Sequence, residues 1–161
     1  YCINQMNHIM FITDALLGEH AVFYLLLGHI EQVLPALDSL SALQHRFAAF
    51  AFALEAHAGL EDELLFTTLE PHLGTQAGPL AVMRFDHDQI IDLLDKIESA
   101  ADFDSARDAT KQLSPVVHGH FQKEEQVLFR MARQFLSEDE LASLGAQWAT
   151  KRTPLIRLGM P

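Results

Sequence analysis

The sequence is poor in cysteine and in basic residues, and it has no long apolar run. Its one cysteine, Cys2, excludes a disulfide framework and a cysteine-ligated zinc site. With 22 acidic and 11 basic residues, the formal net charge is −11, which argues against a nucleic-acid or anionic-membrane partner. No stretch approaches the roughly 18 apolar residues of a membrane span. The first residues carry no basic segment, so we expect no signal peptide and a cytoplasmic protein.

Several catalytic motifs are also missing. The chain has no glycine-rich phosphate loop and no His-Glu-x-x-His pair, which argues against a P-loop nucleotide site and a zincin protease. No glutamate is followed by histidine three residues later, so the ferritin-like di-iron pattern is absent. No serine or cysteine nucleophile stands beside an obvious base. These absences leave open whether the protein is an enzyme.

Apolar residues recur at helical spacing along most of the chain. The 161 residues, 49% of them apolar, predict a single domain over residues 1–161 with a sizeable core. We expect an all-α fold, an antiparallel up-down four-helix bundle over about residues 10–135. A short extra helix should follow in a C-terminal extension, about residues 137–161. The predicted helices begin near Asp14 or Thr13, Ser41, Pro79, Asp104 or Ser105, and Ser137, and the last ends near Ala149. The apolar stripe of the fourth helix includes Val127, Leu128 and Phe135.

A ten-residue motif occurs twice within this pattern. It reads HAGLEDELLF at residues 57–66 and HFQKEEQVLF at residues 120–129. Each copy places glutamate four residues after histidine, so the two side chains share one helix face. The Leu and Phe that end each copy are expected to lie close to this face and to make it apolar. Burying such a polar pair without a partner costs several kcal/mol, so the two copies predict a shared partner, most simply a metal.

Two further histidines complete the pattern. His20 and His87 lie inside the apolar stripes of the first and third helices. The candidate metal ligands are therefore His20, His57, Glu61, His87, His120 and Glu124. Four imidazoles and two carboxylates suit two transition-metal ions, each with two histidines and with both glutamates shared, but do not separate iron from manganese or zinc. Core histidines and surface salt bridges are the alternatives, and the agreement between the two copies favours the metal.

Other polar residues near the motifs are weaker candidates. His118 competes with His120, which alone has a glutamate four residues later. Tyr24 follows His20 by four residues; an ordinary core tyrosine is favoured, and the alternatives are a phenolate ligand or a hydrogen-bond donor to bound oxygen. Acidic neighbours of the candidate ligands are expected to face solvent or to hydrogen-bond locally; these are Glu19, Asp62, Glu63, Asp86 and Glu125. The remaining histidines are expected at the surface: His8, His29, His45 and His72.

The order His, His-x3-Glu, His, His-x3-Glu resembles the hemerythrin-like, HHE cation-binding domains, in the four-histidine, two-glutamate form of bacterial members. The resemblance implies a non-haem centre of two iron ions with carboxylate and oxo or hydroxo bridges. His20, His57, His87 and His120 would be terminal ligands, and Glu61 and Glu124 the bridges. Oxygen-carrying members have a second histidine four residues from the one on the third helix, where this chain has Met83 and Ile91.

The resemblance also implies a class of function. It points to a protein that binds or reacts with a small gaseous or peroxide ligand: oxygen, nitric oxide or hydrogen peroxide. The alternative is a regulatory module without turnover that senses iron or oxygen or handles iron, including a role like that of iron–sulfur cluster repair proteins. A protein partner would serve that alternative.

Overall fold

Helices dominate the computed structural model, which describes the backbone of residues 9–158 and the side chains of residues 9–153. The α-helices are α1 (Ile12–Val33), α2 (Leu40–Leu60), α3 (Thr67–Leu73), α4 (Pro79–Glu98), α5 (Phe103–Lys123), α6 (Phe129–Phe135) and α7 (Glu138–Leu158). No strand occurs within residues 9–158, and the predicted all-α bundle with an extra C-terminal helix is confirmed. His8, which was expected at the surface, lies outside the described residues. No helix in the described part of the chain is long and apolar enough to cross a membrane.

Two of the predicted long helices contain a π-helical segment. Residues Glu61–Phe66 join α2 to α3, and residues Glu124–Leu128 join α5 to α6. The bundle is thus formed by α1, α2–α3, α4 and α5–α6. Each π-helical segment begins at the glutamate of a repeated motif. π-helical segments are rare overall, and those that do occur are often found at functional sites. Nothing in the helical periodicity of the sequence predicted them.

Local capping chemistry explains most of the helix starts. Pro79 opens α4 where its missing N–H costs nothing. Ser137 and Glu140 form the predicted capping box of α7, with the Ser137 N–H donating to Glu140 Oε2 at 2.8 Å. The start of α5 differs from the prediction, because the Asp102 side chain accepts a hydrogen bond from the Ser105 N–H at 2.7 Å.

The first and last helices extend beyond the bounds predicted from the sequence. Helix α1 begins at Ile12, so the predicted caps Asp14 and Thr13 lie inside it, and Phe11 at the cap position makes no side-chain capping hydrogen bond. Helix α7 continues to Leu158, well beyond the predicted end at Ala149. Its extra length carries residues of the C-terminal extension back along the bundle.

A polar layer separates two apolar clusters of the core. Along each bundle element, one cluster lies before the candidate histidine or glutamate and the other after it. On α1, His20 lies between Leu16 of one cluster and Phe23 of the other. On α4, His87 lies in the same way between Met83 and Ile90. The candidate ligands therefore meet at mid-height of the bundle, enclosed by apolar side chains.

Close packing of α7 against the start of α1 depends on Gly145. A Cβ atom at residue 145 would come within 2.0 Å of the Met10 carbonyl oxygen, a backbone atom that cannot easily move aside. We expect Gly145→Val to lower the free energy of unfolding by about 1–3 kcal/mol, as overpacking does in a close-packed core. Urea unfolding measures the change.

Gly28→Ala is the matched control on α1. Among the described residues, no atom comes within 4 Å of a Cβ at residue 28. Alanine is the better helix former, so this variant should gain about 0.5–1 kcal/mol of stability. Equal destabilisation by both substitutions would contradict the role assigned to the close contact at Gly145.

Candidate metal centre

The structure brings all six candidate ligands into one buried layer. Their side chains come from α1, α2, α4, α5 and the first residues of the two π-helical segments. They are between 0 and 3% exposed: His20, His57, Glu61, His87, His120 and Glu124. Six polar residues buried this deeply at mid-bundle require a common partner, because isolated polar groups of this kind are costly.

The histidines meet in two pairs through their Nε2 atoms. His20 Nε2 lies 3.1 Å from His57 Nε2, and His87 Nε2 lies 3.1 Å from His120 Nε2. The lone His of each helical hairpin is thus paired with the motif His of the same hairpin. Both pairs point their nitrogen atoms towards the two buried carboxylates.

Each carboxylate lies between the two histidine pairs. Glu61 Oε1 is 3.2 Å from His57 Nε2, and Glu61 Oε2 is 3.4 Å from His87 Nε2. Glu124 Oε2 is 3.3 Å from His20 Nε2 and 3.4 Å from His120 Nε2. Two groups of four ligand atoms result, each within 4.8 Å of one another: His20, His57, Glu61 and Glu124, and Glu61, His87, His120 and Glu124. Both groups contain both glutamates.

All four carboxylate oxygens of Glu61 and Glu124 are buried without a hydrogen-bond partner in the described part of the protein. Their contacts with the imidazoles are close but lack hydrogen-bond geometry. A buried carboxylate left in this state is strongly unfavourable unless a cation compensates it. Imidazole nitrogen and carboxylate oxygen are donors that first-row transition ions accept. The residues present therefore fit a pair of metal ions that share the two glutamates.

Comparison with known families agrees with this geometry. The model of the hemerythrin HHE cation binding domain matches residues 12–132 of the chain. The chain belongs to this family. A search of curated proteins and a search of solved structures found no match. The HHE match includes every candidate ligand and ends before α7.

In this HHE domain, the acidic residue before each lone histidine faces Nδ1 of a motif histidine, and Glu19 makes a hydrogen bond there whereas Asp86 is in close contact only. His57 Nδ1 donates to Glu19 Oε2 at 2.7 Å, and His120 Nδ1 lies 3.5 Å from Asp86 Oδ2. A carboxylate at Nδ1 holds the proton there and leaves the Nε2 lone pair free for a metal.

The acidic residue after each buried glutamate serves the lone histidines in the same way. His20 Nδ1 lies 3.0 Å from Glu125 Oε1, and His87 Nδ1 lies 3.3 Å from Asp62 Oδ2. All four histidines thus have a carboxylate behind the ring, and the two halves of the centre match. The sequence placed these acids beside the candidate ligands but did not show which ring each would face.

Cations stand behind two of these carboxylates and keep them ionised. Burial disfavours the charged form of Glu19, but hydrogen bonds from His57 and Arg152 outweigh it and hold the pKa of Glu19 below its usual value. The pKa of Asp86 is also lowered, because the close His120 ring and the hydrogen bond from Lys123 outweigh its burial. Both carboxylates are therefore charged partners for their histidines at neutral pH.

Without metal, protons take the place of the cations in the buried layer. Burial opposes the charged form of His20, but the close carboxylates of Glu124 and Glu61 raise its pKa to about 10. Burial is likewise outweighed at His87, where the hydrogen bond to Asp62 and the close carboxylate of Glu61 raise the pKa to about 10. A metal ion needs neutral imidazole, so its binding at neutral pH must displace these protons.

Tyr24 and His118 lie beside the centre and contact each other. The Tyr24 hydroxyl donates to Glu125 Oε1 at 3.3 Å, and its ring stacks on His118 with centroids 5.1 Å apart. Burial and the charge of Glu125 raise the pKa of Tyr24 to about 12, so the phenol keeps its proton. The hydroxyl is thus directed at Glu125, and a hydrogen bond from Tyr24 to bound oxygen stays a prediction. His118 is outside both ligand groups.

Aromatic rings cover the lone histidines. Phe66 stacks on His87 with centroids 5.3 Å apart, and Phe129 stacks on His20 at 5.5 Å. Phe121 covers His20 more closely, at 3.9 Å. The equivalent position in the first motif is Ala58, so the two halves of the centre differ in packing.

The predicted surface histidines within the described residues are exposed: His29, His45 and His72.

Proposed function

We propose that this protein is a non-haem di-iron protein that binds or reacts with oxygen, nitric oxide or hydrogen peroxide. His20 and His57 would hold one iron, His87 and His120 the other, and Glu61 and Glu124 would bridge them. The observation that carries the proposal is the presence of two ligand groups that share both glutamates. When bound, a pair of irons supplies redox chemistry and coordination positions for a small ligand.

The number of protein donors supports reaction with an added ligand. Each group offers two imidazoles and one oxygen from each shared carboxylate. Four donors leave coordination positions open. The oxygen carriers of this family would supply a further histidine near His87, but here Met83 is buried in the core and Ile91 is 40% exposed. This difference favours reactivity over reversible oxygen carriage.

The surrounding residues limit the ligand to a small molecule. The candidate ligands are almost fully buried, and Phe66, Phe121 and Phe129 pack on the histidine rings. These side chains exclude bulk water and bulky substrates. The carboxylates at Nδ1 hold each ring in one orientation and keep its Nε2 atom directed into the layer. A diatomic gas or a peroxide suits such a space.

Reconstitution with ferrous iron under exclusion of air tests the proposal. We expect about two irons per chain, as the two ligand groups predict. Oxygen, nitric oxide and hydrogen peroxide are then added to separate samples, and at least one should change the optical spectrum. A folded wild-type protein that binds one iron or none would contradict the di-iron assignment.

Two neighbouring histidines provide matched variants for this experiment. His120→Gln removes a candidate ligand, whereas His118→Gln removes a half-buried imidazole outside both groups. Only the first should lose paired iron and the spectral response. If His118→Gln has the larger effect, the ligand set is wrong.

The alternative of a regulatory module has one observation in its favour. Helix α7 lies outside the HHE match, yet Arg152 on this helix contacts the carboxylate that orients His57. A partner that moved α7 would thereby reach the metal centre. Two bound irons with no spectral response to any of the three ligands would favour this function.

A further inference from the structure

Helix α7 brings a buried arginine to the metal centre. Arg152 Nε lies 2.5 Å from Glu19 Oε1, and Arg152 Nη2 donates to Glu19 Oε2 at 2.8 Å. The same Oε2 atom accepts the hydrogen bond from His57 Nδ1 at 2.7 Å. The three side chains are 12%, 18% and 1% exposed, in the order Arg152, Glu19 and His57. Only Nη2 has hydrogen-bond geometry in the described part of the protein, and Nε is a close ion-pair contact. Contact at these two points, one on each oxygen, restrains the orientation of the carboxylate as well as its position.

We propose that Arg152 is a positioning residue that, through Glu19, fixes the His57 ring and sets how tightly the His20–His57 half of the centre retains its metal. This role rests on the di-iron centre proposed above. With this role, α7 contributes to the retention of metal at that centre, although the helix lies outside the HHE match.

The docking of α7 explains why Arg152 arrives at this position. Gly145, Trp148 and Arg152 are spaced by three and four residues, so they share one face of the helix. Gly145 allows the backbone of α7 to approach the start of α1, and Trp148 packs against the core cluster next to the candidate ligands. These two contacts hold the helix at a depth from which Arg152 reaches Glu19 on α1.

In the other half of the centre, the described cation behind the carboxylate comes from α5 and not from α7. There, Asp86 stands behind His120, and Lys123 Nζ lies 2.5 Å from Asp86 Oδ2. Lys123 is on α5, three residues after His120, and is 46% exposed. The single contact of an exposed lysine is also less restrictive than the two-point contact of a buried arginine. The two halves should therefore respond differently when α7 is altered.

Metal release from the iron-loaded protein tests the role of Arg152. Excess chelator is added under exclusion of air, and the release of ferrous iron is followed over time. Outer partners of metal ligands contribute about 10–100-fold to metal affinity. In Arg152→Met we expect one iron to leave about 10-fold faster and the other to leave at the wild-type rate. Arg152→Lys keeps the charge and should restore part of the retention.

Lys151→Met is the matched control. Lys151 Nζ contacts Glu63 Oε1 at 2.6 Å, so this neighbour also joins α7 to the bundle by one ion pair, but Glu63 is not among the carboxylates that face the candidate ligands. The control loses the same charge from the same helix and should release both irons at the wild-type rates. Urea unfolding of the metal-free variants shows whether Arg152→Met also loosens the fold.

Three results would overturn the role of Arg152. These are wild-type release of both irons in Arg152→Met, equal acceleration of both irons, and the same acceleration in Lys151→Met. The iron stoichiometry of the wild-type protein shows whether only the role of Arg152 has failed or the proposed metal centre as well. A wild-type chain that binds no iron overturns the proposed centre and the role of Arg152 together, whereas two irons with any of the three results overturn the role alone.

Discussion

Replacing Glu61 by glutamine should remove paired metal and lower the affinity for the remaining ion by more than about 100-fold, beyond the loss caused by an outer partner. Glu61 belongs to both ligand groups, with Oε1 directed to His57 and Oε2 to His87. The amide keeps the size of the side chain but loses the negative charge and one oxygen donor. Metal analysis after equilibrium dialysis against ferrous iron measures the change.

Glu63→Gln is the control for this substitution. Glu63 carries the same charge two residues later, is 58% exposed and pairs with Lys151. It should retain the wild-type metal content. Full metal content in Glu61→Gln, or an equal loss in Glu63→Gln, would show that the buried glutamate does not bridge the two groups.

Removing the metal should lower the thermal stability of the protein by a large amount. The four oxygens of Glu61 and Glu124 have no hydrogen-bond partner in the described part of the protein, and without metal only protons on the histidines offset their charge. Two bound cations would compensate these buried charges more fully. At free metal about 1,000-fold above the dissociation constant, binding stabilises a folded state by about 4 kcal/mol. For a chain of this size, that corresponds to a fall in Tm of about 8–16 °C when the metal is removed.

Calorimetry of loaded and chelated protein measures this difference. The double variant Glu61→Gln, Glu124→Gln is the control, because it lacks the two charges that the metal compensates. Its Tm should be nearly independent of metal. A wild-type protein that holds two metals yet melts at the same temperature with and without them would contradict the coupling of metal to the fold.

The candidate ligands could be found from the sequence because their signal is local. His57 and Glu61 are four residues apart, as are His120 and Glu124, and this spacing alone places each pair on one helix face. The two copies then agree with each other, which chance seldom arranges. His20 and His87 followed from the apolar stripes around them. The structure brings all of these residues together, and the Glu61 and ferrous-iron experiments test whether they bind.

The π-helical segments could not be read from periodicity. On a regular α-helix, a residue nine positions after another lies about 180° around the axis. Phe66 and Phe129 are nine residues after the motif histidines and were expected on the same apolar side; their burial, at 0% and 5% exposure, depends on the π-helical segments, in which each residue turns the chain through a smaller angle. The prediction that Val127 and Phe135 lie in the core stripe was wrong, because they are 48% and 39% exposed.

The outer layer of the centre depended on contacts between distant residues. Glu19 orients His57, and Arg152 fixes Glu19, across separations of 38 and 133 residues. No spacing rule within a helix links such residues. Their meeting depends on the docking of α7, and the prediction that this helix ends near Ala149 excluded Arg152 from it.

The amino-acid sequence alone determined the helical class, the repeated motif and the choice of six candidate ligands. It could do so because spacing along a helix fixes the face on which a side chain lies. Only the tertiary structure decided three features. These are the π-helical turns that bury the phenylalanines, the carboxylate that each histidine faces, and the contact that Arg152 makes from α7. These features depend on how separate helices are rotated and docked against one another. That arrangement is set by the fit of whole surfaces, which local spacing does not encode.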